Sequence, residues 1–221
     1  MRKITDSVAR LERAQGANGY VITREGRHAV VDPGLPFTAG AVVRELRDAG
    51  VLDDVDDILL THYDLDHAGA AARLAAATGA RTWIGAADAQ ILRGHAGAGT
   101  RFRWFLNRLG RPGLGDRTEA VDATGPVEIL PGVTGVPTPG HTPGHLAFRF
   151  EDCLFIGDAA LVRADGSLRQ FPGFLVTDRA AARASADLLA RSGATWILPG
   201  HGSARRMPGT STGGTSTGAT S

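Results

Sequence analysis

The sequence predicts an α/β (α+β) fold made of two β-rich halves with helices packed on their outer sides. Three observations lead there. The chain has 221 residues, 43% of them hydrophobic, which suits one globular domain or two small ones. In the first half, apolar runs of strand length alternate with segments of helical period. In the second half, short strands divided by Gly and Pro lead to a helix and a last strand, so the earlier order returns.

Residues 18–23 and 27–32 read as two strands joined by the tight turn Glu25-Gly26, and Asp32-Pro33-Gly34 ends the second. A helix follows from about Thr38, read as its N-cap, to Ala49; Val42, Val43, Leu46 and Ala49 line one face and Gly50 stops it. Residues 57–61 form a buried strand, with Ile58, Leu59 and Leu60 in a row. Ala70, Ala71, Leu74 and Ala75 mark the next helix, residues 81–84 the next strand, and a short helix runs on to about Arg93. Residues 127–130, 132–137, 146–150 and 153–156 read as short strands. A helix over 178–191 and a strand over 195–198 complete the pattern. One domain is expected over 1–202. From Ser203 the chain is Gly, Ser and Thr in near repetition, a composition that buries no core, so 203–221 is expected to be a disordered tail.

The formal net charge is +1, which gives no global field toward nucleic acid or a membrane. No apolar run reaches the roughly 18 residues of a membrane span. Arg2 and Lys3 are not followed by an apolar core, so no signal peptide is read. Cys153, the single cysteine, excludes an internal disulfide and begins an apolar strand, where it reads as core. A cytoplasmic setting is the expectation.

Five of the seven histidines fall in three compact motifs. They are His62-x-Asp64-x-Asp66-His67, then Gly140-His141-Thr142-Pro143-Gly144-His145, then Pro199-Gly200-His201-Gly202. A fourth element, Phe155-Ile156-Gly157-Asp158, sets an acid just after an apolar strand. Each polar residue follows a strand end or sits in a Gly/Pro loop, where a rigid scaffold presents ligands. A lone loop histidine is more often a surface residue. Two histidines and two aspartates within six residues point instead to metal. Imidazole and carboxylate together suit zinc, iron or manganese, and six or seven such ligands suit two ions better than one.

In this pattern the chain, from about Asn18 to Gly202, resembles the metallo-β-lactamase superfamily. The family signature is His-x-His-x-Asp-His followed by a His, an Asp and a His. The last three match His141, Asp158 and His201, at gaps of 74, 17 and 43 residues counted from His67. The resemblance implies a four-layer αβ/βα sandwich with two divalent ions at one edge. His62, position 64 and His141 would hold one ion, Asp66, His67 and His201 the other, and Asp158 would bridge them. Asp66 would also be catalytic, orienting the attacking hydroxide and taking its proton. His145 and Asp32 would support the ligands, since ligating histidines usually donate their other N–H to a neighbour.

Asp64 departs from that signature, which usually has histidine there. An aspartate lowers the charge of the centre and makes iron or manganese more plausible beside zinc. It can ligate directly, through a water, or not at all; direct ligation, as in flavodiiron relatives, is the expectation.

Between Asp88 and Asp116 there is no acid but there are five arginines: Arg93, Arg101, Arg103, Arg108 and Arg111. Residues 100–109 fit an amphipathic helix with Phe102, Phe105, Leu106 and Leu109 on one face and Arg101, Trp104, Arg108 and Arg111 on the other. Relatives carry substrate-contacting or dimer-forming insertions at this place. Trp104, Arg101 and Arg108 are therefore expected to meet the substrate, and a homodimer stays open. His95, in the same insert, and His28, in mid-strand, read as surface or structural residues.

The expected activity is hydrolysis of a small-molecule thioester, lactone or related ester by metal-activated water, because Gly-His-Thr-Pro-Gly-His resembles the glyoxalase-II-like branch. Only the Gly/Ser/Thr-rich stretch follows Gly202, so strict glutathione-thioester hydrolysis is not expected. An iron-dependent oxidoreductase of the persulfide-dioxygenase or flavodiiron kind and a β-lactam hydrolase are the alternatives.

Overall fold

The computed structural model describes residues 1–207, apart from the side chains of Leu106, Asn107 and Leu109. A first sheet holds seven strands in chain order: β1 (Arg2–Lys3), β2 (Val8–Arg10), β3 (Tyr20–Arg24), β4 (Arg27–Val31), β5 (Val55–Leu59), β6 (Arg81–Gly85) and β7 (Thr118–Val121). β1 to β4 pair antiparallel, and β4 to β7 run parallel. The second half supplies β8 (Val127–Leu130), β9 (Val133–Pro137), β10 (Leu146–Phe150), β11 (Cys153–Gly157), the small pair β12 (Leu161–Val162) and β13 (Leu168–Arg169), β14 (Trp196–Pro199) and β15 (Arg205–Arg206). Its sheet has the order β15-β14-β11-β10-β9-β8, with one parallel pairing, β11 with β14.

Period-two alternation sorts the apolar residues into layers. Tyr20 and Ile22 of β3, Ala29 and Val31 of β4, and Leu59 of β5 face Leu146, Phe148 and Phe150 of β10 and Cys153 and Phe155 of β11. Those residues form the core between the sheets. Val21, Val30 and Ile58 point the other way, onto α1 (Ala39–Asp48), α3 (Ala71–Thr78) and α4 (Ala86–Leu92). Leu154 and Ile156 likewise meet α6 (Arg179–Ala190) on the far side of the second sheet. Helices therefore cover both outer faces, and the architecture is the four-layer αβ/βα sandwich.

Several local expectations differ. Ala49 is exposed, and Glu45 takes the buried place on α1, accepting from the backbone N–H groups of Glu12 and Arg13 and pairing with the chain's N-terminal amine. Thr38 stands at the N-cap position of α1 as expected, but its side chain makes no capping bond; its hydroxyl donates to the Leu35 carbonyl instead. The ordered chain also extends past Gly202. β15 pairs with β14, and Met207 N–H donates to the Thr195 carbonyl, because an arginine pair can extend a sheet edge without burying apolar surface. Residues 208–221, the rest of the expected tail, lie outside the described residues. Among the described residues no helix is long and apolar enough to cross a membrane.

Candidate metal centre

The site lies where strands of both sheets end. β4 delivers Asp32, β5 the run from Thr61 to His67, β11 Asp158, β14 His201, and the β9–β10 loop His141 and His145. α2 (Leu65–Ala68) turns this run so that Asp66 and His67 face the same space as the loop residues. Asp158 Oδ1 lies 3.4 Å from His67 Nε2, and Asp158 Oδ2 lies 3.6 Å from His141 Nε2 and 3.4 Å from His201 Nε2. Asp66 Oδ2 is 3.3 Å from His201 Nε2, and Asp64 Oδ2 is 3.4 Å from His62 Nε2. Asp158 thus stands between the two halves of the cluster.

One aspartate orients two of the histidines. Asp32, with φ of 48°, accepts from the Thr61 backbone N–H at 2.9 Å and from the Thr61 hydroxyl at 2.6 Å. Having given its hydrogen to Asp32, the Thr61 oxygen accepts from His62 Nδ1 at 3.0 Å. Asp32 Oδ2 also accepts from His67 Nδ1 at 2.8 Å. When neutral, both rings keep Nε2 as the lone-pair nitrogen, directed into the cluster. Thr61 is a participant that the sequence did not single out.

His145 uses both ring nitrogens elsewhere. Nδ1 pairs with the Thr138 hydroxyl at 2.8 Å, and Nε2 accepts from the Asp158 backbone N–H at 3.2 Å. Asp88, missed in the sequence, ties the motifs together. It accepts from the Thr142 hydroxyl at 2.7 Å, Gly144 N–H at 2.7 Å and Tyr63 N–H at 3.2 Å. No local pattern flags it; it is one acid in the first turn of α4.

Burial governs the electrostatics. It pushes the Asp88 carboxyl up to about 6 and the His141 ring down to about 4, and holds His145 well below the usual imidazole range. Burial works against ionised Asp158 and protonated His67 too, but their mutual attraction outweighs it, lowering the acid and raising the base. Hydrogen bonds to Asp158 and Asp66 push His201 up to about 9.

Three residue groups each bring ligand atoms within 4.8 Å of one another: His62/His67/Asp158, His62/Asp64/His141 and Asp66/His67/His201. Nε2 of His62, Nε2 of His67 and Oδ1 of Asp158 are buried and have no hydrogen-bond partner. Buried polar atoms rarely stay unpaired, and a divalent ion would satisfy these lone pairs. The donor set fits a metal ion.

The insert differs most from its expected form. α5 (Arg101–Leu109) begins with the Thr100 hydroxyl accepting from Arg103 N–H at 3.2 Å. Arg103 is 2% exposed, whereas Phe102, Trp104 and Phe105 are 41, 58 and 55% exposed. Leu106 and Leu109, also expected on the apolar face, lie outside the described side chains. Arg103 forks onto Asp64, Nε to Oδ1 at 2.7 Å and Nη2 to Oδ2 at 2.8 Å, and Nη2 donates to His141 Nε2 at 2.7 Å. A buried charge needs a partner. That requirement sets the phase of α5 against its apolar pattern.

A cleft of about 340 Å³ beside the cluster is lined by Leu35, Phe102, Arg103, Phe171 and Leu175 together with the acids and histidines. Trp104 and Arg101 line a separate hollow, and Arg108 stacks on Trp104 at 5.2 Å on the exposed side. The structure does not bring these three residues to the cleft.

Sandwich and site together have the form of a metal-dependent hydrolase, with candidate ligand residues converging from both sheets. The profile of the metallo-β-lactamase superfamily matches residues 13–201, and the chain belongs to that superfamily as a metallo-hydrolase. It is 28% identical over 207 residues to the uncharacterized protein YobT of Bacillus subtilis (strain 168), covering 86% of this chain and 85% of that one. It is 38% identical over 158 residues to a hydroxyacylglutathione hydrolase of Pseudomonas putida KT2440, covering 68% of this chain. The match spans 49% of that enzyme, about half its length. Among solved structures, the metallo-β-lactamase SMB-1 superposes with a TM-score of 0.70 at 25% identity, over 90% of this chain and 79% of that one. TTHA1623 in a di-iron-bound form superposes at 0.68 with 26% identity, over 90 and 93%.

Proposed function

We propose that the protein hydrolyses a small-molecule thioester, or a related ester or lactone, with a divalent ion at Asp66, His67, Asp158 and His201. The carrying observation is the pair of unpaired buried atoms His67 Nε2 and Asp158 Oδ1, 3.4 Å apart, with Asp158 lining a cleft that also has apolar walls. The bound ion would supply a Lewis acid for the acyl oxygen and a water nucleophilic at neutral pH. Asp66 is one-third exposed to the cleft and its carboxyl is lowered, since the attraction of His67 and His201 outweighs burial. It is therefore ionised at neutral pH and able to take the proton released by the attacking water. Phe102, Phe171 and Leu175 give an acyl chain apolar surface and shed water from the site. The likeness to hydroxyacylglutathione hydrolases favours a thioester over a β-lactam. Zinc is the first choice of ion, and the di-iron form of TTHA1623 makes iron the second.

The test is a panel of acyl thioesters, lactones, phosphoesters and β-lactams, run with zinc-, iron- and manganese-loaded protein. Thioester or ester turnover that chelation abolishes and metal restores supports this reading. Turnover that survives full metal removal overturns it.

A further inference from the structure

Arg103 reaches the cluster from α5 and touches both Asp64 and His141. We propose that its guanidinium takes the place of a first metal ion, occupying Asp64 and His141 so that the chain binds one divalent ion instead of two. The inference rests on the metal reading above and assigns the occupancy of that site.

Three observations carry it. First, the lone pairs are already used. His141 offers Nε2 to the cluster, and a neutral imidazole nitrogen has one lone pair there; Arg103 Nη2 donates into it at 2.7 Å. Asp64 accepts three bonds from the same guanidinium, at 2.7, 3.0 and 2.8 Å. Arginine stays protonated, so it never becomes an acceptor or a ligand. Of the atoms that His62, Asp64 and His141 turn toward one another, the Asp64 oxygens and His141 Nε2 are thus occupied, and His62 Nε2 is left unpaired.

Second, the space is filled. Ligand-to-zinc bonds are about 2.0–2.2 Å. Nη2 lies 2.8 Å from Asp64 Oδ2 and 2.7 Å from His141 Nε2, which are themselves 3.2 Å apart. An ion bonded to both atoms would sit against a guanidinium N–H, and two cations at that separation in a buried site repel strongly.

Third, the charges match. One divalent ion and one guanidinium balance Asp64, Asp66 and Asp158. The aspartate at position 64 also makes the plug possible. It gives the planar fork a carboxylate to grip at two oxygens, which the histidine of the family signature would not. The second group, Asp66/His67/His201 with Asp158, receives nothing from Arg103 and stays open for the ion.

The experiment counts ions. Protein stripped with a chelator is titrated with Zn2+ by calorimetry, and the dialysed product is checked by elemental analysis. The expectation is one tight ion per chain in the wild type and two in Arg103→Ala. Arg103→Met is the second variant, filling the same volume without charge should the alanine protein not fold. Two tight ions in the wild type overturn the plug. One ion in both the wild type and a folded Arg103 variant also overturns it, since the first group then fails for another reason. A wild type that binds no ion overturns the metal reading itself, and the plug with it.

Discussion

Asp32 Oδ2 stands 2.8 Å from His67 Nδ1 and 2.6 Å from the Thr61 hydroxyl, so one buried carboxylate sets the direction of both His67 and, through Thr61, His62. Removing it frees two rings at once. Asp32→Ala is expected to weaken zinc binding by about 10–100-fold, the usual cost of losing such a support. Thr61→Val, which breaks only the branch to His62, is expected to cost less. Competition with a coloured chelator measures both. Unchanged affinity in Asp32→Ala would remove Asp32 from the site.

The metal-free protein should lose stability in alkali. The His201 pKa is raised to about 9 by Asp158 and Asp66. An unfolded histidine titrates near about 6.5. A raised folded pKa stabilises fully below the unfolded value, and that stabilisation is lost as pH rises through the folded one. His67, raised by Asp158, Asp32 and Asp66 against its burial, acts in the same sense. The melting temperature of chelator-treated protein is expected to fall between about pH 6.5 and 9. With an ion on these nitrogens no proton is there to lose, so metal-loaded protein should show a flatter profile. Parallel melting curves for the two forms would count against the ligand assignment.

Much of this was written in the sequence because its signals are local. Alternation in residues such as Val30 and Val31 separates the two cores, and the acids and histidines sit where apolar runs stop. Arg103 was not legible, because its burial depends on Asp64, a partner 39 residues away that no periodicity encodes. An apolar stripe pointed Phe102 and Phe105 inward, and a buried ion pair overruled it. The edge strands Arg2–Lys3 and Arg205–Arg206 were invisible for another reason: they extend sheets through backbone pairing while their side chains look like any charged turn.

The changed phase of α5 alters which residues should govern substrate affinity. Phe102 lines the cleft and meets Phe174 edge-on at 5.5 Å, while Trp104 lies outside the cleft. Phe102→Ala is expected to raise KM several-fold on an acyl substrate with little change in kcat. Trp104→Ala is expected to leave both constants unchanged. Steady-state kinetics decides, and the reverse pattern would return Trp104 to the substrate.

Asp88 should matter for stability more than for chemistry. It holds Thr142, Gly144 and Tyr63 around a fully buried carboxylate. Asp88→Ala strands three donors, each unsatisfied group costing about 1–3 kcal/mol. Denaturant unfolding should show a loss of several kcal/mol, with weaker metal binding as its consequence, because the run that carries Asp66 and His67 loses its tie, through Tyr63, to the loop of Thr142. A variant as stable as the wild type would show that water replaces the carboxylate.

Gly200 tests the close packing of the centre without touching a ligand. A Cβ there would lie 2.5 Å from Asp158 Oδ1 and 2.5 Å from His67 Cε1, nearer than real Cβ contacts come. Both neighbours are buried, and Asp32 holds the His67 ring in place, so the ring cannot simply turn away from the collision. Gly200→Ala is expected to displace Asp158 and His67 and to lower zinc affinity by at least about tenfold, the lower bound for disturbing the supports of a metal ligand. Gly125→Ala is the control, since a Cβ there meets nothing within 4 Å. Circular dichroism should show both variants folded. If Gly200→Ala bound zinc as tightly as Gly125→Ala, Asp158 and His67 would not be joint ligands of one ion.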